Sequence, residues 1–262
     1  MCRPAGTVPR LAVSVTDEQT FILTPSDCSI MFEPEEIIDL SNPVEDGMPV
    51  WPTFPEVQLT KTAWASRDAY TMERLEMRTH TGTHIDSPRH FIPEGKTLDD
   101  FPVSKFMGPG VAVDLTPKEP EEAITVDDLE QYDDEINEGE VVMLHTAWDQ
   151  YYGNSPEYAF EFPYLTAEAA EWLGERKPKA VGTEGASVGG WTGEMPGHGP
   201  ATDVGADESH LPLLENDIIP VEEVRNLDKV LDGADSRRAY FFYPPLNLQG
   251  TSGSSVRAFA FL

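Results

Sequence analysis

Three of the six histidines in this 262-residue chain fall within eleven residues, His80-Thr-Gly-Thr-His84-Ile-Asp86-Ser-Pro-Arg-His90, with a carboxylate between the second and third. Imidazole and carboxylate together suit Zn, Mn, Fe or Ni and disfavour a thiolate-type structural site. His80, His84 and Asp86 stand at offsets of 0, 4 and 6. On a helix the two histidines would share a face and Asp86 would point away. On an extended chain all three offsets are even, so the three side chains leave on one side. The β-branched Thr81, Thr83 and Ile85, with Gly82 and Pro88, favour the extended reading. A straight strand rising about 3.3 Å per residue would separate His80 from Asp86 by roughly 20 Å, too far for one ion. The chain must therefore bend, and Gly82 permits the bend. Pro88 then stops the strand and leaves His90 on the loop that follows. Histidines beside threonines also occur as hydrogen-bonding partners in buried turns, but this density favours a site. The helical H-E-x-x-H of zinc proteases is absent.

These residues resemble the H-x-G-T-H-x-D-x-P-x-H signature of the metal-dependent cyclase family, matching at His80, Gly82, Thr83, His84, Asp86, Pro88 and His90. That family includes bacterial-type arylformamidases (kynurenine formamidases) and isatin hydrolases. The segment from His210-Leu-Pro-Leu-Leu to Glu222 resembles the family's H-x-x-L-L followed by a strand ending in Glu. Read alone, that pair carries little weight. The chain's end, FFYPPLNLQGTSGSSVRAFAFL, resembles the family's closing motif, so the resemblance runs from about residue 35 to residue 262.

The resemblance implies a site and a reaction. His80, His84 and Asp86 would hold one divalent ion, Zn or Mn. Asp86 would bridge to a second ion held by His210 and Glu222, giving one or two ions per chain. The ions would activate water for attack on an amide carbonyl and stabilise the oxyanion. His90 would shuttle a proton to the leaving nitrogen, and no serine or cysteine nucleophile is assigned. Trp51 would flank an aromatic substrate, although core packing accounts for it equally well. The implied substrate is N-formylkynurenine, giving kynurenine and formate. The alternatives are an isatin-like cyclic amide and a non-catalytic metal-binding protein, against which His90 speaks.

Several elements must position these residues. Residues 37–40 read as a first strand, and 57–65 with 70–79 as a hairpin or neighbouring strands leading into His80. Residues 110–115, 140–148 and 179–184 read as further strands. Thr125 caps a helix through about Gln131, and Thr166 opens the clearest helix, which ends before Pro178. His145 is expected in the core. Glu184 stands where family members usually carry Asp, with Ser187 three residues on, and takes no assigned role. Residues 189–205, rich in Gly and Pro and containing His198, read as a lid or a surface loop. Residues 1–33 read as a weakly ordered extension and 34–262 as one domain. Periodicity alone gives a mixed α/β class with many strands. The resemblance implies a single compact β/α domain around a mixed, nearly closed sheet (the cyclase-like swivelling β/β/α fold), assembled as a homodimer or larger homo-oligomer.

Composition bounds the partners. Hydrophobic residues make up 39 %, enough for a sizeable core. Eighteen Lys and Arg face 47 Asp and Glu, a formal net charge of −29 that repels nucleic acid and anionic membranes. The acids are spread along the chain and arginine outnumbers lysine, which suggests adaptation to high internal salt. No stretch has the apolar length to span a bilayer and no signal-type apolar core opens the chain, so a cytoplasmic protein is expected. The two cysteines, Cys2 and Cys28, form no disulfide framework. The expected partner is a small amide, with no nucleic acid and no membrane.

Overall fold

The computed structural model describes residues 34–153, 155–193, 202 and 205–262. The expected extension at 1–33, both cysteines, and His198 with most of the expected lid lie outside the described residues.

The chain from Glu36 to Leu262 forms one compact unit. In order it contains β1 (Ile37–Asp39), β2 (Gln58–Ala63), α1 (Ala65–Asp68), β3 (Met72–Glu76), β4 (His84–Asp86), β5 (Met107–Asp114), β6 (Ala123–Ile124), α2 (Val126–Glu130), β7 (Val141–His145), α3 (Pro156–Phe160), β8 (Tyr164–Leu165), α4 (Ala167–Arg176), β9 (Ala180–Thr183), α5 (Ala206–Glu215), β10 (Ile219–Glu222), α6 (Leu227–Leu231), β11 (Ser236–Phe242), β12 (Gly253–Ser255) and β13 (Phe259–Phe261). Nine strands form one mixed sheet in the order β1-β13-β11-β5-β7-β9-β10-β4-β12. The centre, β5 to β10, is parallel, and both flanks are antiparallel.

The central strands are apolar along most of their length because both faces are covered, with polar residues at their C-terminal ends. Ala112, Val141, Met143 and Ala180 turn to one face and pack with Leu227, Val230 and Leu231 of α6. Their neighbours Val111, Val113, Val142, Leu144 and Val181 turn to the other, against Ala169, Ala170 and Leu173 of α4 and Leu213 of α5. This period-two split puts the two halves of the core on opposite sides of the sheet. Helix α4 starts where its sequence directs, with the Thr166 hydroxyl accepting from the Ala169 N–H at 3.0 Å.

The expected hairpin forms as β2 paired antiparallel with β3, apart from the main sheet and mostly exposed. Helix α5 was not expected, because Pro212 inside it reads as a breaker. His90 ends a one-turn 3₁₀ helix, Pro88–His90, and does not sit in an irregular loop. Proline at the first position of that turn loses no hydrogen bond. Among the described residues no helix is long and apolar enough to cross a membrane.

Candidate metal centre and aromatic cavity

Strand β4 lies between β10 and β12, and its register assembles the site. Antiparallel pairing sets His84 opposite Glu222 and Asp86 opposite Gly253. His84 and Asp86 are two residues apart and so share a face. His80 reaches the same place because the chain bends before β4, with Gly82 in the left-handed region at φ 63°. The expected bend is therefore present at the expected residue. Gly253 makes room for the ring, since a Cβ there would collide with His80. Helix α5 supplies His210 from the other side.

The side chains converge closely. His80 Nδ1 lies 2.6 Å from Asp86 Oδ1, and its Nε2 lies 2.8 Å from Ser252 Oγ. His84 Nε2 is 3.5 Å from Asp86 Oδ1 and 3.2 Å from Glu222 Oε2. His210 Nε2 is 3.3 Å from Asp86 Oδ2 and 3.0 Å from Glu222 Oε1. His84 donates from Nδ1 to the Gly82 carbonyl at 2.7 Å, and His210 from Nδ1 to the Ala206 carbonyl at 2.6 Å. These two bonds fix the tautomers and aim both Nε2 atoms inward, as backbone carbonyls do behind metal-binding histidines.

The donor set fits divalent ions. Two trios, His80–His84–Asp86 and Asp86–His210–Glu222, each bring one ligand atom per residue within 4.8 Å of one another, and Asp86 belongs to both. Ligands of one ion at about 2.1 Å stand about 3–4 Å apart; His84–Asp86 at 3.5 Å and His210–Asp86 at 3.3 Å fall in that range, and His80–Asp86 at 2.6 Å is closer. Asp86 Oδ2 and His210 Nε2 are both buried and 3.3 Å apart, and beyond the ion-pair contacts within the cluster neither makes a hydrogen bond of good geometry. An ion taking both would satisfy the two atoms at once.

Electrostatics point the same way. Burial disfavours a charged His84 ring, but the hydrogen bond to Glu222 and the charges of Asp86 and Glu222 prevail and raise its pKa to about 9. The same balance, led by burial and reversed by Glu222 and Asp86, lifts His210 to about 10. Burial also opposes charge on Asp86, but the surrounding histidines, His80 foremost, hold its carboxyl well below the usual range. Glu222 falls to about 2: His210 and His84 outweigh burial and the charge of Asp86. Without an ion the cluster is thus a set of imidazolium–carboxylate contacts, with the positive charge in the place a cation would take.

His90 stands beside these groups in a different state. Its ring stacks on His80 at 3.9 Å between centroids, and its Nε2 is 3.8 Å from Asp86 Oδ2. Burial lowers its pKa to about 4, only partly offset by Asp86.

A cavity of about 290 Å³ opens onto the cluster, walled by Trp51, Phe54, Phe91, Ala186, Ser187 and Glu223 as well as the histidines and Glu222. Trp51 is half-buried, edge-on to Trp191 at 5.0 Å between centroids, and its role as a cavity wall and as packing are both visible. His145 and Glu184 stay outside the cavity. Glu184 is fully buried and accepts from His145 Nδ1, the Thr146 hydroxyl, and the N–H groups of Thr146 and Trp148, which makes it a clasp on the turn after β7. Residues 185–189, Gly-Ala-Ser-Val-Gly, do match G-x-S-x-G, a serine-nucleophile pattern that the metal reading passes over. Ser187 accepts from the Gly189 N–H at 3.1 Å, and among the described residues no histidine hydrogen-bonds its hydroxyl. Sequence reasoning gave no role to Phe54, Phe91, Ser252 or Glu223. The G-T-S-G of the closing motif was the one available signal for Ser252. Strand alternation would send Glu223 to the side opposite Glu222, since successive strand residues face opposite sides. Glu223 leaves the strand in the left-handed region, φ 55°, and so reaches the same cavity as Glu222.

Comparisons with known proteins bear on the family and the fold. The Cyclase family model matches residues 38–189. The chain is 30 % identical to the kynurenine formamidase of Bacillus cytotoxicus over 227 residues, 85 % of this chain and 96 % of that protein. Among solved structures, a potential metal-dependent hydrolase with cyclase activity superposes with a TM-score of 0.67 at 28 % identity, covering 86 % of this chain and 97 % of that one. Isatin hydrolase A from Ralstonia solanacearum shares the fold, with a TM-score of 0.71 at 23 % identity and coverage of 87 % and 92 %. With a family match over more than half its length, and a candidate metal cluster assembled around β4, α5 and β10, this chain belongs to the Cyclase family.

Proposed function

We propose that this chain is a divalent-metal-dependent amide hydrolase whose substrate is N-formylkynurenine, split at the formamide C–N bond into kynurenine and formate. The observation that carries the reading is the pair of ligand trios sharing Asp86 at the floor of an aromatic cavity. The ions proposed are Zn or Mn, held by His80, His84, Asp86, His210 and Glu222. When bound there they supply water activation and carbonyl polarisation. The likeness to kynurenine formamidases over most of both chains supports the choice of substrate.

The protein's own groups do the rest. Trp51, Phe54 and Phe91 offer ring faces to an aryl group and keep water from it. His90, with a pKa of about 4, is neutral at pH 7 and can accept at Nε2 a proton from the attacking water. That proton is then delivered to the departing aryl nitrogen, so that the amine leaves neutral.

The test is hydrolysis of N-formylkynurenine in molar KCl, before and after chelation, and after Zn or Mn is returned. Turnover lost on chelation and restored by the ion is expected. Bound metal without turnover would overturn the choice of substrate, and isatin opening in that sample would redirect it to cyclic amides.

A further inference from the structure

Glu223 is a carboxyl that neither metal binding nor proton transfer uses. It is 3 % exposed, lines the cavity and belongs to neither ligand trio. Its backbone is held from three directions: its N–H donates to Gly185 O at 3.1 Å, and its carbonyl accepts from Thr83 Oγ1 at 2.6 Å and Asn42 Nδ2 at 2.8 Å. Its Oε2 accepts from the buried Tyr158 hydroxyl at 3.0 Å. The side chain is thus a fixed acceptor in an aromatic wall.

A buried carboxylate is costly unless its charge is met, and the Tyr158 hydroxyl and the Gly82 N–H are neutral donors that bring no counter-charge. Among the described residues no Lys or Arg lines the cavity. Residues 189–205, which follow the cavity segment Ala186–Ser187, contain neither. The charge of His84 also acts on Glu223, but burial outweighs it and raises the Glu223 pKa to about 7, and His84 is committed to the ligand cluster.

We infer that Glu223 is a specificity-determining residue that pairs with an ammonium group carried by the aromatic substrate away from its scissile amide. The inference rests on the cavity being the amide-binding site, and the contact adds selection for amine-bearing substrates over neutral ones of equal size.

The test reads binding, so it stands apart from turnover of any formamide. Benzylammonium and benzyl alcohol are titrated into the ion-loaded full-length protein, and quenching of tryptophan fluorescence gives each Kd. Wild type is expected to prefer benzylammonium by about tenfold, the effect of one charge-assisted hydrogen bond. Glu223→Gln is expected to bring the two ligands within about twofold while ion content stays unchanged. A preference that persists in Glu223→Gln would mean the amine meets the metal, and would overturn the inference. So would loss of bound ion in that variant, which would make Glu223 a ligand. Equal affinity in wild type overturns it without any variant. A protein that shows the preference but leaves N-formylkynurenine intact retains this contact and loses only the assigned reaction.

Discussion

At the residue scale, two kinds of histidine share one cluster, and burial treats them differently. His84 and His210 each face carboxylates that outweigh burial, so in the ion-free protein they are charged at pH 7. Their folded pKa values, about 9 and about 10, lie above the ordinary value of 6.5. Their contribution to ion-free stability is therefore complete below pH 6.5 and is lost as pH rises through 9 to 10. Asp86 and Glu222 are depressed instead, so their contribution is present above the ordinary carboxyl range and is lost in acid. Ions must displace the protons on both rings. Ion affinity should accordingly rise steeply from pH 6 to pH 9, with proton release on binding. Calorimetry at pH 7 in buffers of different ionisation enthalpy measures that release, and a buffer-independent heat would refute it. His90 lies on the other side of the balance, neutral and stacked. Replacing it by Ala should leave ion content intact and lower kcat by about 10²–10⁴, with full activity removing it from the mechanism. The candidate cluster at 80–90 was legible early because three histidines and an aspartate in eleven residues constrain chemistry more than they constrain shape, whereas His210 and Glu222 drew attention only through the resemblance.

At the element scale, the centre depends on a three-residue strand gripped from both edges. β4 is too short for any periodicity to reveal, and what the sequence displayed was its chemistry. The strands β5, β7 and β9 and the helix α4 were legible because apolar runs and a Thr cap act locally. Helix α5 was not, because Pro212 hides it and packing on β10 and α4 sustains it. Nor could the sequence show that Ser252 and Gly253, about 170 residues from His80, complete its surroundings, since a strand pairing brings them there. That pairing has a testable consequence. Gly253→Ala places a methyl against the His80 ring while β12 keeps its hydrogen bonds. Ion affinity should fall about 10–100-fold, the usual effect of disturbing a ligand's support, with the fold retained. Normal ion affinity in a well-folded Gly253→Ala protein would show that His80 is free to move aside and does not need this support.

At the scale of the whole molecule, the dominant feature is the charge of −29, carried by 47 acids against 18 bases. The ion pairs on the surface do not balance it. Arg257–Asp39 and Arg238–Glu140 are well exposed on at least one side, and pairs of that kind contribute about 0–1 kcal/mol each. Salt weakens such pairs, but it also weakens the repulsion among many unpaired carboxylates, and the excess of acids decides which effect is larger. The Debye length falls from about 10 Å at 0.1 M to about 3 Å at 1 M, shorter than most separations between surface charges. We therefore predict that the ion-loaded protein melts several degrees higher in molar KCl than in dilute buffer. For a domain of this size about 1 kcal/mol moves Tm by about 2–4 °C. Screening and solute exclusion differ in where they act. Screening should deliver most of the rise below about 0.5 M, whereas exclusion grows steadily with concentration and is reproduced by sucrose. A steep early rise with KCl, absent with sucrose of equal osmolality, is the expected result. A Tm that is flat from low to molar KCl would mean that the acidic surface is no burden to the fold, and adaptation to salt would then be the wrong account of it.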